Sequence, residues 1–199
     1  MIAVFNKDFR KYFSSFTGYI FMSVFLLISG IFFALSNVMN SSADYNGVLG
    51  SITFIFLLVV PILTMRLMAE EVSSQTDKLL LTTPLSLTGI VLGKYFAAVS
   101  VFLITLLITS LYPIMLSFFG VLAVWEIVGG IIGFFFLGCA FIAVGLFISS
   151  LTDNQVNAAI GTFGVLLLVM MVDWLSQSLP SGREAAAIFV GILVVLIAL

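Results

Sequence analysis

Long apolar runs, cut by short polar stretches, set the plan of this chain. The first stretch, 1–16, is different in kind: it is too mixed to span a bilayer. Ile2, Phe5, Phe9, Tyr12, Phe13 and Phe16 recur at three- and four-residue steps, while Lys7, Asp8, Arg10, Lys11, Ser14 and Ser15 occupy the other positions. That period predicts a short amphipathic helix lying in the bilayer interface, with Phe5, Phe9 and Phe13 on its apolar face and Lys7, Arg10 and Lys11 on its polar one. The alternative is a frayed polar tail.

Beyond it, the pattern predicts six spans. The first covers about Gly18 to Leu35 and is followed by a polar loop, Asn37 to Gly50. The second covers about Ile52 to Met68 and contains Pro61, which is expected to kink it. The third lies within Leu87 to Phe119, with Pro113 near its far end. Ile127 to Ile148 and Val156 to Val172 make the fourth and fifth, joined by a short polar link from Ser149 to Gln155. The last apolar segment, Ala185 to Leu199, is shorter than the roughly 20 residues a span needs. It reads as a truncated sixth span, so the natural chain is expected to continue. No linker, repeat or low-complexity tract divides residues 1–199, which read as a single transmembrane domain.

Composition supports the same picture. Of 199 residues, 62% are hydrophobic and 8% charged. Soluble domains hold about 45–50% apolar and about 25% charged residues, so the solvent for this surface is lipid. The fold class is therefore an all-α integral membrane protein. A net charge of −2 with no basic patch argues against a nucleic-acid partner. Lys7, Arg10, Lys11, Arg66, Lys78 and Lys94 all fall on one side of the six-span plan, and only Arg183 on the other. The excess of Lys and Arg on the cytoplasmic side sets topology, which puts the N-terminus on the cytoplasmic side of the cell (inner or plasma) membrane.

Candidate chemistry is sparse. The chain has no histidine, which removes histidine-ligated haem and metal sites and histidine proton relays. Cys139, the one cysteine, reads as a small hydrophobe in an apolar run. Gly89–Lys94 (GIVLGK) glances at a phosphate-binding loop, but it is one residue short and Tyr95 stands where the Ser/Thr belongs. No catalytic constellation is found, so the chain is not expected to be an enzyme or to bind a cofactor itself. The spans carry almost no charge: Glu126 and Asp173 sit at span ends, where anchoring is the plain reading. Gly129 and Gly133 form a GxxxG, suited either to packing within the subunit or to a subunit interface.

The informative segment is the polar stretch 66–86 between the second and third spans. Ser74 and Asp77 fit the start of a helix and Pro84 its stop. Between them, Leu79, Leu80 and Leu81 make a leucine cluster flanked by charges, suited to docking in a groove on another protein. The alternative is an ordinary loop whose leucines fold back onto the bilayer.

Glu70-Glu71, Thr76, Leu79-Leu80-Leu81, Thr83-Pro84 and Ile90-Val91-Leu92-Gly93-Lys94, together with Gly145 to Gln155, resemble the ABC-2 type permease family, nearest to its gliding-motility-type branch. The resemblance implies a six-span subunit that pairs with a second permease copy, identical or not, and with two cytoplasmic ABC ATPase subunits. ATP and Mg would be bound by those ATPases. It also implies that the segment between spans two and three is a cytoplasmic coupling helix. By position that role falls on Thr76, Asp77, Lys78, Leu79, Leu80, Leu81 and Thr82, with Glu70 and Glu71 as the acidic pair at its head. Export of a substrate would follow. An ion-driven secondary carrier and a non-transporting membrane scaffold are the competing functions.

Overall fold

The computed structural model describes residues 1–40, 44–73, 86–117 and 123–178, with backbone alone at 173 and 175–178. Among these residues all regular structure is helical and there is no strand. Helix α1 (Ile2–Ser14) is followed by α2 (Phe16–Phe33), which runs into a π-helical turn, Ala34–Val38. Then come α3 (Tyr45–Thr53), α4 (Phe56–Thr64), α5 (Ala69–Ser73), α6 (Leu87–Thr109), α7 (Tyr112–Leu116), α8 (Val124–Ser150) and α9 (Gln155–Ser178). The chain forms two compact units, Met1–Phe163 and Gly164–Leu199. The candidate site lies wholly in the first; the described part of the second, 164–178, is continuous helix.

Among the described residues, four stretches are long and apolar enough to cross a membrane: Phe16–Val38, Leu87–Leu116, Val124–Ser150 and Gln155–Val172. Helices α3 and α4 together make a fifth if the pair is one span, bent by 59° at the break between them. The expected sixth span, 185–199, lies outside the described residues.

That bent pair departs from expectation twice. Residues 45–50 belong to a helix and not to the polar loop assigned to 37–50. Asp44 caps the helix, its carboxylate accepting from the Gly47 N–H at 3.1 Å. Tyr45, Val48, Leu49 and Ile52 then bury one face at helical spacing. The bend, expected at Pro61, falls instead at Phe54–Ile55. There the hydrogen bonds contract by one residue, Ile55 N–H to Ile52 O at 2.8 Å and Leu57 N–H to Phe54 O at 3.2 Å. Just before it, Ser51 and Thr53 donate their hydroxyls back to the Gly47 and Leu49 carbonyls at 3.0 Å each. Such back-bonding bends a helix. Pro61 sits inside α4, which continues past it to Thr64.

The core is aromatic. Phe25, Phe56, Phe102, Phe134 and Phe141 pack as one cluster from α2, α4, α6 and α8, with the Phe56 and Phe134 rings stacked at 4.8 Å. In lipid, association rests on packing contacts, so the backbones must come close. Gly138 admits the Phe102 ring and Gly145 admits Thr64, where any larger residue would collide. The GxxxG pair, Gly129 and Gly133, faces open space among the described residues.

Candidate functional site

Helix α1 lies against the first turns of α6 because glycine lets it. A methyl group at Gly93 would stand 3.1 Å from both the Met1 carbonyl oxygen and Val4 Cβ. The GIVLGK segment is thus a docking surface for a helix. The ridge that α1 turns inward is Val4, Asp8 and Tyr12, all buried, at four-residue spacing. This corrects the amphipathic reading, which put Asp8 on the outer polar face. Phe5, Phe9 and Phe13 form a half-buried ridge beside it, with successive ring centroids 5.6 and 5.0 Å apart.

Lys94, the last residue of that segment, is 2% exposed. A buried ammonium is tolerated only if paired and hydrogen-bonded. Lys94 Nζ meets both conditions: it lies 2.7 Å from Glu71 Oε2, donates to the Leu67 carbonyl at 2.6 Å, and lies 3.6 Å from Asp8 Oδ2. Glu71 uses its other oxygen to accept from Lys7 Nζ at 2.8 Å. Lys11 pairs with Glu70 at 3.0 Å. Three elements, α1, α5 and α6, are joined through one ionic knot.

The corner between α4 and α5 explains why the knot forms there. A helix end leaves carbonyls without partners, and the next helix start leaves N–H groups. Side chains from elsewhere satisfy them. The Tyr12 hydroxyl donates to the Leu63 carbonyl at 2.8 Å, and Lys94 takes that of Leu67. Ser149, at the end of α8, accepts from the Met68 and Ala69 N–H groups at 3.1 and 3.2 Å. The corner leading into the polar stretch is therefore gripped by α1, α6 and α8.

Electrostatics follow from burial and pairing. Burial pushes the Asp8 carboxyl above its ordinary value, against the pull of Lys94 and Lys7. Burial also acts to raise Glu71, but hydrogen bonds from Lys7 and Lys94 prevail and hold it below the ordinary carboxylate value. Burial acts to lower Lys7, and its bond to Glu71 wins, leaving it raised.

Beside the knot is a cavity of ≈ 30 Å³, lined in part by Asp8, Lys11, Ser15, Thr17 and Arg66. Among the described residues, no three His, Cys, Asp or Glu side chains gather as a metal ion would require.

Of the expected partner-binding residues, Glu70 and Glu71 are placed, in α5 and turned toward α1. Thr76, Asp77, Lys78, Leu79, Leu80, Leu81 and Thr82 lie outside the described residues. Lys7 and Lys11 face Glu71 and Glu70, whereas Arg10 is exposed. Sequence reasoning missed Lys94, Tyr12 and Ser149 as site residues. For Lys94 a signal existed: one lysine inside the apolar segment 87–119, next to a glycine at which another helix docks.

Comparison with protein families matches residues 31–189 to the family described as "ABC-2 family transporter protein". No curated protein and no solved structure matches.

Proposed function

The chain belongs to the ABC-2 family of transporter proteins, and from that premise we propose that it is the permease subunit of an ATP-driven exporter, coupled through segment 66–86 to a separate ATPase. It is a multi-pass membrane protein and a component of membrane transport. In this reading the N-terminus is cytoplasmic, as the Lys/Arg distribution favours, and the protein sits in the cell membrane. Two permease copies work with two ATPase subunits, which bind ATP and Mg; the chain itself hydrolyses nothing. Its motifs favour the gliding-motility-type branch.

One observation carries the coupling half of the reading. Glu71, at the head of the segment that would dock on the ATPase, is fixed to α1 through Lys7 and to α6 through Lys94. A pull on residues 76–82 would reach the third span through the Glu71–Lys94 pair and the interfacial helix through the Lys7–Glu71 and Lys11–Glu70 pairs. Such bonds are short and strong, and they transmit displacement instead of absorbing it. An ATPase with different contacts in its two nucleotide states would thereby bias the spans between two arrangements. The apolar spans suit a lipid-like or amphipathic cargo.

The test is reconstitution in vesicles. The chain purified from its native membrane is expected to bring an ATPase subunit with it, and the complex to hydrolyse ATP while the isolated chain does not. Solute movement by the isolated chain, driven by an ion gradient, would establish a secondary carrier in its place. Stable assembly of a complex with no coupling between hydrolysis and transport would indicate a scaffold.

A further inference from the structure

We infer that Asp8 is a second seat for Lys94: when α5 leaves the knot, the ammonium passes from Glu71 to Asp8, so that α1 and α6 stay joined while α5 moves. The transfer belongs to the chain alone; only its use, letting segment 66–86 travel with an ATPase, rests on the proposed function.

The knot holds Lys94 unevenly. Glu71 Oε2 is at 2.7 Å and the Leu67 carbonyl at 2.6 Å, both full bonds, while Asp8 Oδ2 stands off at 3.6 Å. That oxygen is buried and accepts no hydrogen bond. An ammonium has three N–H donors, and the two short contacts occupy two of them. Donor and acceptor thus face each other across a gap about 0.8 Å longer than a charge-assisted bond. The flexible four-carbon stem of a lysine crosses such a gap without moving the backbone. A buried acceptor left unbonded is costly in this arrangement, and the cost is relieved in one where the nearer acid has gone.

The two acids stand on elements of unequal hold. Helix α1 is pressed onto α6 at Gly93, where a methyl group would stand 3.1 Å from the Met1 carbonyl oxygen and Val4 Cβ, and Val4 and Tyr12 are buried on the same ridge as Asp8. Asp8 and Lys94 therefore move together. Helix α5 has five residues, of which only Ala69 and Glu71 are buried. A helix that short has no stability of its own. It is tied by the hydrogen bonds of the Met68 and Ala69 N–H groups to Ser149 and by ion pairs to Lys7, Lys11 and Lys94. If Glu71 left with α5 and nothing took its place, Lys94 would become a buried unpaired charge, and that penalty would hold α5 shut. Asp8 removes the penalty and keeps Lys94 as a link between α1 and α6 throughout.

Hydrogen exchange of the detergent-solubilised chain tests this at Met68 and Ala69, whose N–H groups are released when α5 leaves Ser149. Asp8→Asn keeps the Glu71 pair and takes away the second seat, so these two amides should exchange about tenfold more slowly than in the wild type. If Asp8 only braced the knot, its loss would loosen α5 and speed them. A crystal structure of Glu71→Gln gives an independent reading: Lys94 Nζ should lie about 2.8 Å from Asp8 Oδ2. Amide exchange in Asp8→Asn that is unchanged or faster, or a gap in Glu71→Gln that stays at 3.6 Å, would overturn the proposal. Neither measurement includes an ATPase, so failure here leaves the proposed function standing, and failure to co-purify an ATPase leaves the lysine transfer standing.

Discussion

Lys94 has two carboxylates close enough to neutralise it, and that redundancy governs what substitutions do. Changing Glu71 to Gln removes the acid that holds Lys94 at 2.7 Å and should cost about 1–3 kcal/mol, whereas Asp8 to Asn keeps that pair, removes a carboxylate whose burial opposes folding, and should cost little. The double variant strands a buried ammonium, which costs about 3–5 kcal/mol. Adding Lys94→Met to the double variant should restore most of the loss, since the stranded charge goes with it. Thermal unfolding in detergent reads all four. A double variant no weaker than the singles would mean that Lys94 is solvated and the knot is incidental. The same residues set a pH response with opposing limbs. Glu71 is lowered, so its contribution is full above its ordinary 4.5 and is lost as pH falls through the folded value. Asp8 is raised, so its burial opposes folding at neutral pH and is relieved as pH falls through its folded value toward 3.8. From neutral pH downward the unfolding midpoint should therefore hold or rise, then drop below about 4.5. Asp8→Asn should remove the rise, and Glu71→Gln should blunt the drop. Little of this was legible in sequence. Glu70 and Glu71 stood out as an acidic pair, but the buried lysine that holds Glu71 lies more than twenty residues on, and only the fold brings the two together.

At the scale of elements, glycine decides the docking of α1. Gly93→Leu would place side-chain atoms where Val4 and the Met1 carbonyl now stand, so α1 should lift from α6 while the spans persist. Hydrogen exchange at residues 2–14 should then rise at least tenfold, with the core of α6 unchanged (a factor of ten is about 1.4 kcal/mol of lost docking). Unchanged protection of α1 would show that the ion pairs alone hold it. The apolar runs revealed these elements well: the first, third, fourth and fifth spans fall within a few residues of where hydropathy puts them. The second did not, and the reasons are local. Asp44 followed by Tyr45, Val48, Leu49 and Ile52 is a capped helix face, masked by the Ser, Asn and Gly around it. The bend falls just after Ser51 and Thr53, whose back-bonding is less conspicuous in a sequence than a proline. The α1 face was misjudged for a related reason. Periodicity separates apolar from polar positions, yet the ridge that packs inward, Val4–Asp8–Tyr12, carries an acid because α6 offers it a lysine.

At the largest scale, the proposed coupling would make a lever of helices α1, α4, α6 and α8. The corner after α4 is capped by α1, α6 and α8, and it opens directly into the segment whose leucine cluster suits a groove on a partner. The proposed function needs a nucleotide-hydrolysing subunit to grip that segment from the cytosol. The most direct measurement is co-purification of the ATPase subunit with Leu80→Asp and with the wild-type chain, alongside the unfolding midpoint of each. If residues 76–82 dock on the ATPase, the variant keeps the wild-type midpoint and loses the ATPase. A variant that retains the ATPase at wild-type yield would contradict that docking.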